Sequence, residues 1–234
     1  MVTTHPTPPL RPTPPPHPSD VVAPLKPRLR GWLHAAMTPL SLAAGIVLVC
    51  LAPTPAGKLG GAVFLAASLL LFGTSGVYHR FSPWGPRAES VLRRMDHANI
   101  FVFIAATYTP ISLLLLTGTS RIVLLTVVWG AAVLGLLFRL FWLSAPRALY
   151  TVLYLVVGWA AVGWMGQLLH NGGPAVVMLI VAGGLCYTFG AVVYAAKRPN
   201  PSPRWFGFHE IFHAGTVAGF TFHYIAISLA AYAR

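Results

Sequence analysis

The sequence predicts an all-α integral membrane protein, a bundle of seven transmembrane helices with a cytoplasmic N-terminus and a C-terminus outside the cell. Of its 234 residues, 56% are hydrophobic and 9% are Asp, Glu, Lys or Arg, whereas about 25% of a soluble domain is charged. A hydrocarbon core about 30 Å thick is crossed by roughly 20 apolar residues in a helix. Apolar runs of this length recur from Trp32 to the C-terminus, so a water-soluble fold is not expected.

Hydropathy divides the chain into seven apolar segments separated by short polar breaks. The predicted spans are residues 32–52, 59–79, 96–117, 122–143, 148–169, 174–195 and 208–232. Residues 170–174, His-Asn-Gly-Gly-Pro, form a turn-like break between the fifth and sixth spans. Residues 85–94 lie between the second and third spans, and their arginines predict a short amphipathic helix at the membrane surface.

The N-terminal segment, residues 1–30, differs in composition from the rest of the chain. It is rich in proline and polar residues, which cannot bury a core and which favour extended or disordered states. We therefore predict a disordered cytoplasmic tail over 1–30 and one transmembrane domain over 31–234.

The basic residues predict the orientation. The formal net charge of +12 would suggest a nucleic-acid partner for a soluble protein, but here the charge lies in loops, so no nucleic-acid partner is expected. Basic residues concentrate on the cytoplasmic side of a membrane protein. In the predicted topology thirteen lie on the side of the N-terminus, and three, Lys58, Arg121 and Arg234, lie on the other.

Ionisable side chains mark one end of the predicted bundle as a functional site. Such groups are costly at membrane depth, so they indicate function by default. The second span ends at His79, the third begins at Asp96, and the seventh begins with His209 and His213. In the predicted topology all four side chains lie at a similar depth near the cytoplasmic face.

The spacing of these residues favours a metal site. Residues four apart on a helix project from one stripe, so His209 and His213 can reach one cation. The same spacing places Ser75 beside His79 on the second span. Two histidines from one helix, a third from another and a position left for water are typical of a catalytic zinc ion.

Each residue taken alone has a simpler interpretation. His79 could be an amphipathic edge residue, Asp96 the N-cap of the third span, and Ser75 a donor to a backbone carbonyl. Residues 209–213 also match the HExxH motif of zinc proteases, in which the glutamate is the general base. We instead expect Glu210 to lie at the helix start, where a carboxylate is favourable.

The remaining histidines of the spans are weaker candidates for metal ligands. His34 is a possible neighbour of the site, because it opens the first span on the cytoplasmic side. His97 points about 100° away from Asp96, and His223 lies about 15 Å deeper than His213 on the same helix. His170 belongs to the outer face, so neither it nor His223 should reach the metal.

The same residues carry a resemblance that covers about residues 26–234. The chain resembles the hemolysin III family of bacterial membrane proteins, within the progestin and adipoQ receptor superfamily and its wider kinship with the alkaline ceramidases. The matching elements are Arg28-Leu29-Arg30-Gly31-Trp32-Leu33-His34, Ser75-Gly76-Val77-Tyr78-His79, Met95-Asp96-His97-Ala98-Asn99-Ile100 and His209-x-x-x-His213.

The resemblance implies a seven-helix bundle in a bacterial inner membrane, with zinc bound by His79, His209 and His213. It places Asp96 and Ser75 around a metal-bound water. Glu210 departs from the pattern, because no acid is expected within that motif.

The sequence thus favours a zinc-dependent hydrolase of a lipid-like amide or ester. The alternative is a non-enzymatic receptor or membrane-perturbing protein with structural zinc. The substrate and the oligomeric state do not follow from the sequence.

Overall fold

The computed structural model describes residues 27–81 and 83–233, and these residues form a helical bundle. The predicted tail therefore lies outside the described residues except for its last four positions. Within the described ranges no β-strand forms, and Ser202 and Phe206 make an isolated bridge. The predicted all-α membrane class is confirmed. The elements are α1 (Trp32–Leu51), α2 (Pro55–Arg80), α3 (Pro86–Leu115), α4 (Gly118–Phe141), α5 (Arg147–Gly158), a 3-10 helix (Ala160–Trp164), α6 (Met165–Ala196) and α7 (Phe208–Tyr232).

Six helical stretches in the described part of the chain are long and apolar enough to cross a membrane. Five of them are α1, α2, α3, α4 and α7. The other is the 50-residue stretch Arg147–Ala196, which contains α5, the 3-10 helix and α6. Gly173 interrupts this stretch with non-helical torsion angles (φ 78°, ψ 170°), within the turn-like segment that the sequence predicts as a loop. The count of seven spans stays a prediction.

α3 is longer than the sequence suggests. It runs without a break for 30 residues, and Pro86 occupies its first turn, where a missing N–H costs nothing. The amphipathic segment predicted over 85–94 is therefore the beginning of α3, not a separate helix. Asp96 lies inside α3, ten residues from its start, so the interpretation of Asp96 as an N-cap is wrong.

The outer surface of the bundle is apolar. Large side chains such as Leu134, Phe141 and Val156 are 65–83% exposed. In water, an apolar surface of this kind would cause aggregation. In a bilayer the same side chains face lipid tails. The lipid bilayer is therefore the environment that this fold requires.

Aromatic rings hold α2, α3 and α7 together in the core. The ring of Phe220 on α7 stacks on Phe64 at 5.3 Å and meets the edge of Phe72 at 5.2 Å. Phe103 of α3 packs against the same ring at 6.5 Å. This aromatic cluster fixes the spacing of α2, α3 and α7. The same three helices carry the predicted site.

Arg139 is buried within α4, although from the sequence the basic charge is assigned in general to loops. It lies in the last turn of α4, is 1% exposed, and its guanidinium lies 4.3 Å from the ring centroid of Tyr150. A basic side chain at a helix C-terminus is favoured by the helix dipole, and the aromatic face adds cation–π attraction. In the predicted topology this end of α4 still lies on the side of the N-terminus.

Gly31 allows the chain that enters α1 to pack directly on the end of α2. Its φ is 82°, a left-handed conformation that side chains rarely adopt. A Cβ atom at Gly31 would lie 2.8 Å from the Cβ of His79 and 3.0 Å from the backbone nitrogen of Arg80. The glycine is therefore required by both the backbone and the space beside His79.

We predict that Gly31→Ala lowers the thermal unfolding midpoint of the purified protein by several degrees. The left-handed conformation alone costs a residue with a Cβ about 1–2 kcal/mol, and the contact with His79 adds to this cost. Gly85→Ala is the matched control, because Gly85 has an ordinary φ of −63° and a Cβ atom added there would meet nothing within 4 Å. Equal midpoints for the two variants would contradict this account of Gly31.

Candidate metal centre

Three histidines from two helices meet at one end of the bundle. His79 lies in the last turn of α2, and His209 and His213 lie in the first two turns of α7. Each offers one ring nitrogen, and these three atoms all lie within 4.8 Å of one another. The structure therefore brings together the three residues that the sequence predicted as metal ligands.

The pair formed by His79 and His209 has the closest approach. Their Nε2 atoms lie 3.2 Å apart. Two nitrogens bound to a tetrahedral cation such as zinc, each at about 2.0–2.1 Å, are separated by roughly 3.3 Å. The observed separation thus fits nitrogens that share one cation.

Asp96 reaches the same cluster from α3. Its Oδ2 lies 3.4 Å from the Nε2 of His79, the same nitrogen that faces His209. The side chain of Ser75 is close enough to the Asp96 carboxylate to interact with it. Ser75 is 1% exposed and the side chain of Asp96 is 13% exposed, so the hydroxyl and the carboxylate lie in a site largely closed to solvent.

His34 of α1 packs against the cluster without adding a fourth ligand to it. Its ring stacks on the ring of His213, with centroids 3.7 Å apart and planes 10° from parallel, and its edge meets Phe72 at 5.1 Å. Both nitrogens of His34 are buried and have no hydrogen-bond partner in the described part of the chain. The expectation that His34 neighbours the site is confirmed, and its contact restrains the orientation of the His213 ring.

Glu210 faces away from the histidines. Its Oε2 accepts a hydrogen bond from the backbone nitrogen of Gly207 at 2.8 Å, which completes a capping box at the start of α7. Its Oε1 pairs with Arg30. Glu210 therefore occupies the helix start, as the sequence predicted, and it anchors the segment before α1 to α7.

His97 lies outside the histidine cluster, although it is adjacent to Asp96 in sequence. Its Nδ1 lies 2.8 Å from the Arg93 carbonyl oxygen, and its Nε2 lies 3.4 Å from the Tyr194 hydroxyl. The direction predicted for His97 from helix geometry is therefore confirmed.

A large apolar cavity opens from the metal centre into the bundle. The space between the helices here amounts to about 1350 Å³, part of it open to the surroundings. Its walls include Ser75, Asp96, His209 and His213 at one end, and His223 also lines it. Most of the wall is aliphatic or aromatic. The lining suits an acyl chain.

Sequence reasoning missed the aromatic wall of this cavity. Tyr108, Tyr154, Trp159, Tyr187 and Tyr194 line it, yet in the sequence they are ordinary residues of apolar spans. Hydropathy cannot separate the cavity side of a membrane helix from its lipid side, because both sides are apolar. The polar groups at the ends of these side chains are the sequence feature that could have indicated a cavity.

The chain matches a family model described as "Haemolysin-III related" over residues 22–224. It is 33% identical over 136 residues to the "Hemolysin-3 homolog" of Bacillus subtilis (strain 168), an alignment that covers 58% of this chain and 63% of that protein. The chain thus aligns with less than two thirds of the length of that relative.

Two further relatives extend the comparison. The "Hemolysin-3" of Bacillus cereus is 29% identical over 168 residues, or 70% of this chain and 76% of that protein. The "Heptahelical transmembrane protein ADIPOR2" of Oryza sativa subsp. japonica is 29% identical over 187 residues, or 71% of this chain and 80% of that protein. The family model covers most of the chain, including α1–α6 and the histidine cluster. The chain is a multi-pass membrane protein that belongs to the haemolysin-III-related family.

Proposed function

We propose that this protein is a zinc-dependent hydrolase that cleaves an amide or ester bond of a lipid-like substrate. The observation that carries this proposal is the position of three histidine nitrogens within 4.8 Å of one another, beside a carboxylate, at one end of an apolar cavity. A purely structural metal site needs neither the carboxylate nor the cavity.

Zinc is the metal that suits this donor set. Imidazole nitrogens are common zinc ligands, and catalytic zinc sites hold three protein ligands and leave one position for water. His79, His209 and His213 would hold the ion. Zinc bound there supplies Lewis acidity, which activates water and polarises a carbonyl group.

Asp96 is the proposed general base. Its Oδ2 lies 3.4 Å from the ligand nitrogen of His79, so a water molecule beside that nitrogen is within reach of the carboxylate. Asp96 would orient this water, take its proton at a carboxylate oxygen, and return the proton to the leaving group. Ser75, held beside Asp96, would fix the carboxylate or donate to the developing oxyanion.

The shape of the cavity supports a lipid-like substrate. The catalytic residues line one end, and the walls beyond them are mainly apolar, including Leu71, Phe103 and Ile111. A substrate with a polar head and an apolar chain would place its scissile bond at the histidines and its chain among these residues.

We also propose that the stretch Arg147–Ala196 crosses the membrane twice, which gives seven spans. At about 1.5 Å per residue, a 50-residue helical stretch is roughly 75 Å long, more than twice the hydrocarbon thickness. Near its break at Gly173, Asn171 donates to the Leu115 carbonyl at the end of α3 (2.8 Å), which favours a turn at that membrane face. The rice relative is named heptahelical.

A second function is favoured by the names of the two Bacillus relatives, which are called hemolysins. In this alternative the protein is a receptor or a membrane-perturbing protein, and zinc only joins α2 to α7. No span carries the row of polar residues expected of an aqueous pore lining, which argues against a channel formed by one chain.

We predict that His209→Ala and Asp96→Asn separate metal binding from hydrolysis. His209→Ala should lose both bound zinc and activity, because it removes a ligand. Asp96→Asn should keep the zinc and lower the rate by roughly a hundredfold or more, because it removes the base. Bound zinc is measured by elemental analysis of the purified protein, and hydrolysis with a long-chain N-acyl amide and a long-chain p-nitrophenyl ester.

Two matched variants control this experiment. His170→Ala removes an exposed histidine far from the cluster and should change neither quantity. Glu210→Gln tests the HExxH interpretation and should keep activity per folded molecule, since Glu210 faces Arg30 and Gly207. Unchanged zinc and hydrolysis in both His209→Ala and Asp96→Asn would refute the enzyme proposal. Zinc-dependent stability without turnover would favour the alternative.

The orientation is tested by reporters fused to the C-terminus. We expect a periplasmic alkaline phosphatase fused after Arg234 to be active, and a fluorescent protein that folds only in the cytoplasm to be dark, because basic residues concentrate on the side of the N-terminus. The opposite pair of results would reverse the topology and place the histidine cluster at the outer face.

A further inference from the structure

We propose that the cavity contains a second polar subsite, formed by His223 and Tyr187, that binds an uncharged hydroxyl group on the chain of the lipid-like ligand. We call this pair the hydroxyl subsite. The inference rests on the proposed function in one respect, since it requires a lipid-like ligand to occupy the cavity.

Both side chains of the hydroxyl subsite have an unused polar atom. The Nε2 of His223 lies 3.0 Å from the Ile180 carbonyl, and a carbonyl only accepts, so Nε2 carries the hydrogen and donates it. The Nδ1 of His223 is therefore an acceptor. In the described part of the chain, neither this Nδ1 nor the Tyr187 hydroxyl has a hydrogen-bond partner, although both atoms are buried. Buried polar atoms are rarely left unpaired at membrane depth, because each one is costly.

The two rings are fitted into the wall by glycines. A Cβ atom at Gly183 of α6 would overlap the His223 ring, and a Cβ at Gly219 of α7 would lie 2.6 Å from the Tyr187 ring. Each ring thus occupies space that a glycine on the opposite helix leaves open. The rings meet edge to face, with centroids 5.3 Å apart. The pair is therefore held side by side by α6 and α7 together.

The hydroxyl subsite is deep in the cavity. His223 follows the metal-ligand candidate His213 by ten residues on α7, which corresponds to about 15 Å along the helix axis. His213, His223 and Tyr187 all line the same cavity. A ligand with its head at the metal centre would carry its chain past the subsite.

The chemistry of the pair selects a hydroxyl group. A hydroxyl can donate to the Nδ1 of His223 and accept from the Tyr187 O–H at the same time. A carbonyl on the chain would satisfy only the tyrosine, and a methylene would satisfy neither. A carboxylate would find no positive partner, because the described residues that line the cavity include no lysine or arginine.

The test compares two fatty acids that differ by one mid-chain hydroxyl. The full-length protein is incubated with an equimolar mixture of octadecanoic acid and 12-hydroxyoctadecanoic acid, and native mass spectrometry measures the ratio of the two bound acids. Tyr187→Phe removes only the hydroxyl and keeps the ring beside Gly219. We expect it to reduce the preference for the hydroxylated acid by about threefold to tenfold, the range of one net hydrogen bond.

Two controls make the result specific. Tyr224→Phe is a matched variant, because the Tyr224 hydroxyl donates to the Ala44 carbonyl at 3.1 Å and lies outside the cavity lining; its ratio should equal that of the unmodified protein. His170→Ala should also keep the preference, because His170 is exposed and lies outside the cavity lining. His223→Leu removes the other member of the hydroxyl subsite, and we expect it to reduce the preference for the hydroxylated acid about as much as Tyr187→Phe does.

The outcomes separate the two proposals. A bound ratio that Tyr187→Phe leaves unchanged overturns the hydroxyl subsite, whatever His223→Leu does to folding, and leaves the hydrolase proposal standing. A hydroxyl preference that persists when no hydrolysis is found supports the subsite and overturns only the enzyme. If neither acid binds, a lipid-like ligand is excluded, and the hydroxyl subsite is refuted together with the substrate class of the hydrolase.

Discussion

The approach of α2 and α7 at one end of the bundle is the constraint on which the rest of the structure depends. The Nε2 atoms of His79 and His209 lie 3.2 Å apart, although the two residues are separated by 130 positions in sequence. Two imidazole nitrogens at this distance can share a proton or a cation. The packing around them, from the glycine contact at Gly31 to the His34 ring stacked on His213, keeps these helix ends in place.

The same region shows how a membrane fold accommodates charge. Glu210 is 1% exposed, yet both of its oxygens are used, one by the backbone of Gly207 and one by Arg30. Because Arg30 immediately precedes Gly31, this ion pair also fixes the segment that closes over His79. The ion pair of Arg30 and Glu210 therefore neutralises a buried carboxylate and also holds the segment that packs on His79 at the candidate metal centre. Asp96 differs, since its neighbours are the histidine and serine of the site.

The sequence predicted the candidate site better than the helix boundaries. The four-residue spacing of His209 and His213, the cost of ionisable side chains at membrane depth and the predicted topology together pointed to the cluster. The start of α3 was missed because the arginines of residues 85–94 suggested a separate amphipathic helix at the membrane surface, whereas the helical backbone of α3 continues past that surface. The pairing of Arg30 with Glu210 could not be predicted, since only the folded chain brings them together.

The interior of the cavity was also beyond sequence reasoning, for a different reason. In a soluble helix the polar face identifies the outside, but in this bundle the side facing lipid and the side facing the cavity are equally apolar. His223 was correctly placed away from the metal by its distance along the helix. Its pairing with Tyr187, and the glycines that seat both rings, depend on how α6 and α7 rotate against each other, which hydropathy does not encode.

The proposed function requires that His79, His209 and His213 hold one zinc ion beside Asp96. The most direct measurement is anomalous diffraction from crystals of the purified protein, collected on both sides of the zinc absorption edge. We predict one anomalous peak per chain, about 2.0–2.1 Å from a nitrogen of each of the three histidines, with Asp96 facing its open side. A peak elsewhere, or no peak at the zinc edge from protein purified without chelator, would contradict it.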